Sequence, residues 1–81
     1  MRIESLGSNQ TEVTTNAGRG LVSYSTLVAV KTDNGFFVHE DKFSQTTQRH
    51  IGKWFRAMGL DKKDARTVSG AELSEFLGGS I

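Results

Sequence analysis

Lys42–Met58 reads KFSQTTQRHIGKWFRAM, and its pattern decides the architecture. Ile51, Trp54, Phe55 and Met58 fall at i, i+3, i+4 and i+7, the spacing of one face of an α-helix. At about 100° per residue they occupy an arc of roughly 100°, with Arg49, Lys53 and Arg56 clustered opposite. One side is core and the other is a basic stripe. Ser44 can accept a hydrogen bond from an unpaired N–H of the first turn, and Gly59 can take the left-handed conformation after the last. The helix is therefore expected from near Gln45 to Met58, with Thr46 and Thr47 as alternative caps. Gly52 inside it costs about 1 kcal/mol relative to Ala, which suggests a second backbone passing close by.

Working outward, the 81 residues amount to one small domain, 1–81, of modest stability, since a chain of this size buries only about 60% or slightly more of its unfolded surface. There is no cysteine, so disulfides, thiolate chemistry and Cys-based zinc sites are excluded. No stretch approaches the roughly 18 apolar residues of a membrane span, and MRIESLGSNQ lacks the apolar run of a signal peptide. A soluble, cytoplasmic protein with no membrane partner is expected. Net charge is +1, but it is unevenly spread: −2 over residues 1–41, +5 over 42–66 and −2 over 67–81. The middle segment suits phosphate or an acidic protein surface, and also suits the solvated face of an ordinary helix.

Upstream, residues 1–6 and 11–15 have the β-branched content and flanking turn residues of a first hairpin. Asn16–Gly20 (NAGRG) reads as a flexible turn; neither the P-loop nor the dinucleotide pattern is present. Leu21–Thr32 is the longest strand candidate, with Val22, Tyr24, Thr26, Val28 and Val30 alternating onto one face. Asp33-Asn34-Gly35 then turns the chain into Phe36–Glu40. A two-residue Asn34-Gly35 loop would set Val30 against His39. A three-residue loop pairs Val30 with Val38 and Thr32 with Phe36, giving one apolar face, and is preferred on that ground. That register leaves Phe37 and His39 on the outer face as exposed contact residues. Downstream, residues 60–67 are polar and hold at most a turn of helix. Ser69 with Glu72 forms a capping box, and Val68 with Leu73 a hydrophobic staple. A short helix from Gly70 to Leu77 follows, ended by Gly78 and Gly79. The expected class is α+β: a small antiparallel meander of about four strands, with the main helix and the short C-terminal helix packed on one face. Trp54, Phe55, Ile51, Met58, Val28, Val30 and Val38 are the predicted core.

The pattern Tyr24-x-Thr26-x-Val28-Ala29, followed by Lys42-Phe43-Ser44-x-Thr46-Thr47-x-x-His50, resembles small uncharacterised proteins of bacteriophages and archaeal viruses. The likeness covers roughly residues 22–56. It implies a viral accessory protein acting in the host cytoplasm, and it assigns no catalytic role to any residue.

Candidate chemistry is sparse. His50 with Ser44, Thr46, Thr47 and Tyr24 is a possible hydroxyl–imidazole constellation, since a hydroxyl nucleophile needs a base in hydrogen-bond reach and a group orienting that base. The bland reading is packing and capping, because His50 sits four residues before Trp54 at the edge of the buried face. His39, Glu40 and Asp41 with His50 could supply two imidazoles and a carboxylate to a metal, but adjacent strand residues point to opposite faces. No catalytic residue, metal or cofactor is therefore expected. The binding candidates are Arg49, Lys53, Arg56, Lys62, Lys63 and Arg66, with Phe37 as a potential stacking residue. A helix-turn-helix reading fails because the would-be recognition helix carries Glu72 and Glu75 and no cation. The expected function is a non-enzymatic accessory protein that binds and modulates or inhibits a host protein or defence complex. Weakly specific nucleic-acid binding through the basic stripe is the alternative. Homodimerisation through an open sheet edge is a further option.

Overall fold

Residues 18–32, expected as a turn and one long strand, are two strands joined by a tight turn at Tyr24-Ser25. The computed structural model describes residues 1–78, so the expected role of Gly79 lies outside the described residues. Strands β1 (Arg2–Gly7), β2 (Gln10–Thr15), β3 (Gly18–Ser23), β4 (Thr26–Thr32) and β5 (Gly35–His39) form an antiparallel meander. Helix α1 (Gln45–Ala57) and a single 3-10 turn (Lys62–Asp64) lead to β6 (Arg66–Val68), which adds parallel to β5. Helix α2 (Gly70–Phe76) follows. The α+β class is as expected; the sheet has six strands rather than four.

The two added strands come from the break at Tyr24-Ser25 and from β6, and a second difference is that both faces of the sheet are covered. Along β5, Phe36 and Val38 pack with the cluster under α1, which contains Leu21, Val28, Ala29, Ile51, Trp54 and Phe55. Phe37 between them joins Val30, Val68, Leu73 and Leu77 under α2. Consecutive strand residues point to opposite faces, so the two helices lie on opposite sides of the sheet and not on one. Gly20 makes room for α2, since a Cβ there would lie 2.5 Å from a methyl of Leu77.

The register of the β4–β5 hairpin follows from the same fact. Thr32 pairs with Gly35, Val30 with Phe37 and Ala29 with Val38, so the loop is Asp33-Asn34 and neither of the two registers weighed from sequence is adopted. Both of those registers assume a single apolar face. With two faces to bury, the favoured register matches apolar to apolar on each: Val30 with Phe37, and Ala29 with Val38. The Thr32 hydroxyl fixes the turn by accepting from the Asn34 N–H at 3.1 Å.

A bulge completes the two-sided pattern. Leu21 pairs with Ala29 and Val22 with Leu27, so Val28 has no partner across the ladder. An extra residue on one strand re-aims the side chains beyond it. Val28 and Ala29 accordingly both serve the α1 cluster, while Leu27 and Val30 serve the other. Strict alternation from Val22 to Val30 does not survive it.

Helix α1 starts and ends as its sequence dictates. The Ser44 hydroxyl accepts from the Thr47 N–H, and Gly59 takes φ 76°. Leu60 N–H reaches the Phe55 carbonyl and Gly59 N–H that of Arg56, both at 2.9 Å, which is a Schellman closure with Leu60 packed onto the core. Ile51 and Phe55 are fully buried and Trp54 nearly so; Met58 and Val38 are half-buried against the same cluster. A Cβ at Gly52 would meet nothing within 4 Å, so no second backbone approaches. Gly52→Ala is therefore expected to stabilise the protein by up to about 1 kcal/mol, raising Tm by about 4–8 °C at most in a thermal scan followed by circular dichroism. A fall in Tm would mean that space at Gly52 is needed after all.

The α2 cap is formed as expected: Glu72 N–H donates to the Ser69 hydroxyl at 3.2 Å, and that hydroxyl lies 3.4 Å from Glu72 Oε1. Val68 and Leu73 share one buried cluster. Among the described residues no helix is long and apolar enough to cross a membrane.

Candidate functional site

The polar residues singled out near the start of α1 converge on one that was not. Ser23, at the end of β3 and 2% exposed, places its hydroxyl 2.9 Å from His50 Nδ1 and 3.1 Å from Thr47 Oγ1. Thr47 Oγ1 in turn lies 3.4 Å from Ser44 Oγ. The chain Ser44–Thr47–Ser23–His50 ties the first turn of α1 to the end of β3. Buried hydroxyls left unpaired would cost about 1–3 kcal/mol each, and this arrangement pairs them all. Nothing in the sequence marks Ser23, because its burial depends on α1 crossing that strand end.

A nucleophile–base pair is present in distance, but among the described residues no group hydrogen-bonds His50 Nε2 to orient the ring, and Ser23 lies beneath the surface. Thr46 is exposed. Tyr24 sits over this corner with its ring 6.3 Å from that of His50. It is 56% exposed, has φ 58°, and donates its N–H to the Asn9 carbonyl at 2.7 Å; Asn9 is likewise at φ 61°.

The cations expected to act together are divided by the fold. Arg49, Lys53 and Arg56 are all exposed on α1, and among the described residues no ion pair engages any of them. Arg49 and Arg56 line an open groove with Gln45, Gln48, Gly52 and Lys62. Lys62 is fixed there, its Nζ donating to Gln48 Oε1. Lys53 faces the other flank of the helix and borders a cleft with Leu6, Gln10, Glu12, Arg19, Trp54 and Met58. Lys63 is 3.8 Å from Asp61 in an exposed pair. Arg66 stands on β6, opposite Phe37. The sixfold stripe thus reduces to a groove of three cations, with Lys53 next to it on the flank of α1 that borders the other cleft.

The two expected contact residues are not exposed. Phe37 is buried under α2 and stacked on Phe76, ring centroids 4.2 Å apart, because α2 covers the sheet face on which it stands. The His39 side chain is 12% exposed. It lies edge-on to Phe43 and against Gly70, where an added Cβ would come within 2.6 Å of Nε2. Its Nδ1 accepts from the Asp41 N–H. Among the described residues no group of three His, Asp or Glu is placed to hold a metal.

Residues 1–75 match the model of a family of unknown function, DUF8033. No curated protein and no solved structure matches the chain.

Proposed function

The chain belongs to this family of unknown function, and we propose that it works as a non-enzymatic binding protein. In this reading it is a viral accessory protein in the host cytoplasm that docks on an acidic surface of a host protein and modulates or inhibits it, or a defence complex containing it. The viral setting rests on the likeness of residues 22–56. The binding role rests on one observation: Arg49 and Arg56 are presented unpaired beside Lys62 on a helix held from beneath by Ile51, Trp54 and Phe55. Unpaired charges on a rigid helix lose little in ordering on contact, and they steer an oppositely charged partner into register.

Nucleic-acid binding is the second reading, and two features weigh against it. Phe37, the residue available for base stacking, is buried. Only Arg49, Arg56 and Lys62 among the six cations line the groove, so few phosphates could be neutralised together there and salt-driven affinity would be small. A compact acidic patch on a protein fits three cations in one groove better.

The test is an affinity pull-down of tagged protein from host lysate, with and without nuclease, alongside the triple variant Arg49→Glu, Lys53→Glu, Arg56→Glu. All three positions are exposed, so the variant should keep the wild-type circular dichroism spectrum. A stoichiometric protein that survives nuclease and is lost from the variant is the expected result. Recovery of nucleic acid alone, itself lost from the variant, would reverse the order of the two readings.

A further inference from the structure

Edge strands are ordinarily kept from pairing with other chains by shortness, by proline or by awkward charge. At one edge of this sheet β6 has only three residues. At the other, β1 has six, all exposed; it pairs with β2 along one side, and the chain contains no proline. Ile3 on it is 64% exposed. Neither shortness nor proline protects this edge, its irregularity between Ser5 and Gly7 lies clear of residues 2–4, and its charges are poorly served within one copy. Arg2 lies opposite Thr14, and Glu4 opposite Glu12, a like-charge pairing that is unfavourable across a ladder. Arg19 lies 3.9 Å from Glu12, and Arg2 reaches along its own strand to Glu4 at 3.5 Å with both side chains largely in solvent.

We propose that β1 pairs antiparallel with β1 of a second copy about a two-fold axis at Ile3, fusing the two sheets into one. The axis position follows from the side chains. At Ile3 it sets each Arg2 opposite Glu4 of the second copy on one face, and Ile3 against Ile3 on the other, continuing the row that holds Val13. Moved to Arg2 or to Glu4, the axis brings identical charges together. Moved to Ser5, it sets Glu4 against Leu6. An axis between residues sets Ile3 against a charge or leaves both charges without a partner. Parallel pairing in register stacks identical charges and does not close on a two-fold. Of these arrangements only the Ile3 axis gives Arg2, Glu4 and Ile3 each a complementary neighbour, with Leu6 and Gly7 beyond the overlap, and it places Arg2 of the second copy beside the Glu4 that already faces Glu12. The edge alone carries this inference, which stands whether or not α1 binds a host protein.

Sedimentation equilibrium over a wide concentration range tests it by charge swap. The wild type should show a reversible dimer. Arg2→Glu and Glu4→Arg should each weaken it at least about tenfold, since two cross-strand ion pairs become like-charge pairs. The double variant Arg2→Glu/Glu4→Arg should recover the dimer. An equimolar mixture of the two single variants should form a heterodimer tighter than either homodimer, because each strand then presents only one sign of charge. Both positions are exposed, and Glu4→Arg replaces a Glu–Glu pairing with Arg–Glu inside the protomer, so a monomeric variant with wild-type circular dichroism reports on the interface and not on folding. A wild type that stays monomeric at the highest concentration reached would overturn the proposal. So would a dimer that neither single variant weakens, or single variants that fail to complement each other.

Discussion

Phe55→Ala should lower the unfolding free energy by about 3–5 kcal/mol. Phe55 is fully buried at the meeting point of α1 with the sheet. Its ring lies edge-on to Phe36 at 5.4 Å and tilted against Trp54 at 5.2 Å, and it shares its cluster with Leu21, Val28 and Ala29. Truncation removes the transfer free energy of a whole ring and leaves a cavity that strands on one side and a helix on the other cannot both close. At about 0.05–0.15 kcal/mol per residue, a domain of this size is stable by roughly 4–12 kcal/mol, so the loss is about a quarter of the total or more. Trp54 is the only tryptophan and touches Phe55, which makes its fluorescence in a urea titration the natural probe. The midpoint should fall sharply with little change in slope. A loss below about 1 kcal/mol would mean that the site relaxes far more than close packing allows.

The second large effect is expected where the sequence looks least constrained. Gly18→Ala should destabilise by about 1–3 kcal/mol, because a Cβ there would lie 2.3 Å from the Lys31 carbonyl oxygen and 3.1 Å from a Thr32 methyl. The first of these is backbone in a paired strand, Gly18 being opposite Thr32, so β3 and β4 must part at that end. The entropic gain of Ala over Gly in the unfolded chain, about 0.4–1 kcal/mol, offsets only part of this. Urea unfolding should show the loss, and amide hydrogen exchange should show it concentrated in the first residues of β3 and the last of β4. The same substitution at Gly52 has the opposite expected sign. Two glycines, indistinguishable by composition, are thus set apart by what lies within 4 Å of them.

Helix α1, its Ser44 cap, its Gly59 terminus and the α2 cap at Ser69 were legible because each depends on residues within a few positions of one another. Hydrogen bonds from the first-turn N–H groups, the left-handed closure and the 3.6-residue apolar period are local physics. The first hairpin and the α+β class were readable for the same reason. The candidate site was legible only as a set of charges: Arg49, Lys53 and Arg56 are exposed as their positions opposite the apolar face require. That Arg49 and Arg56 share a groove with Lys62 while Lys53 faces elsewhere depends on where the chain runs after α1.

What the sequence by itself determined, then, was the helices, their ends, the exposure of the α1 cations and the class of fold. Only the tertiary structure decided the break at Tyr24-Ser25, the bulge at Val28, the Asp33-Asn34 hairpin, the parallel addition of β6 to β5 and the burial of Ser23, Phe37 and His39. All of these share one physical cause. A strand records burial with a period of two, and when α2 covers the face opposite α1 both phases of that period become apolar. Alternation then no longer says which residues face inward, and register is settled by which pairing buries both faces at once.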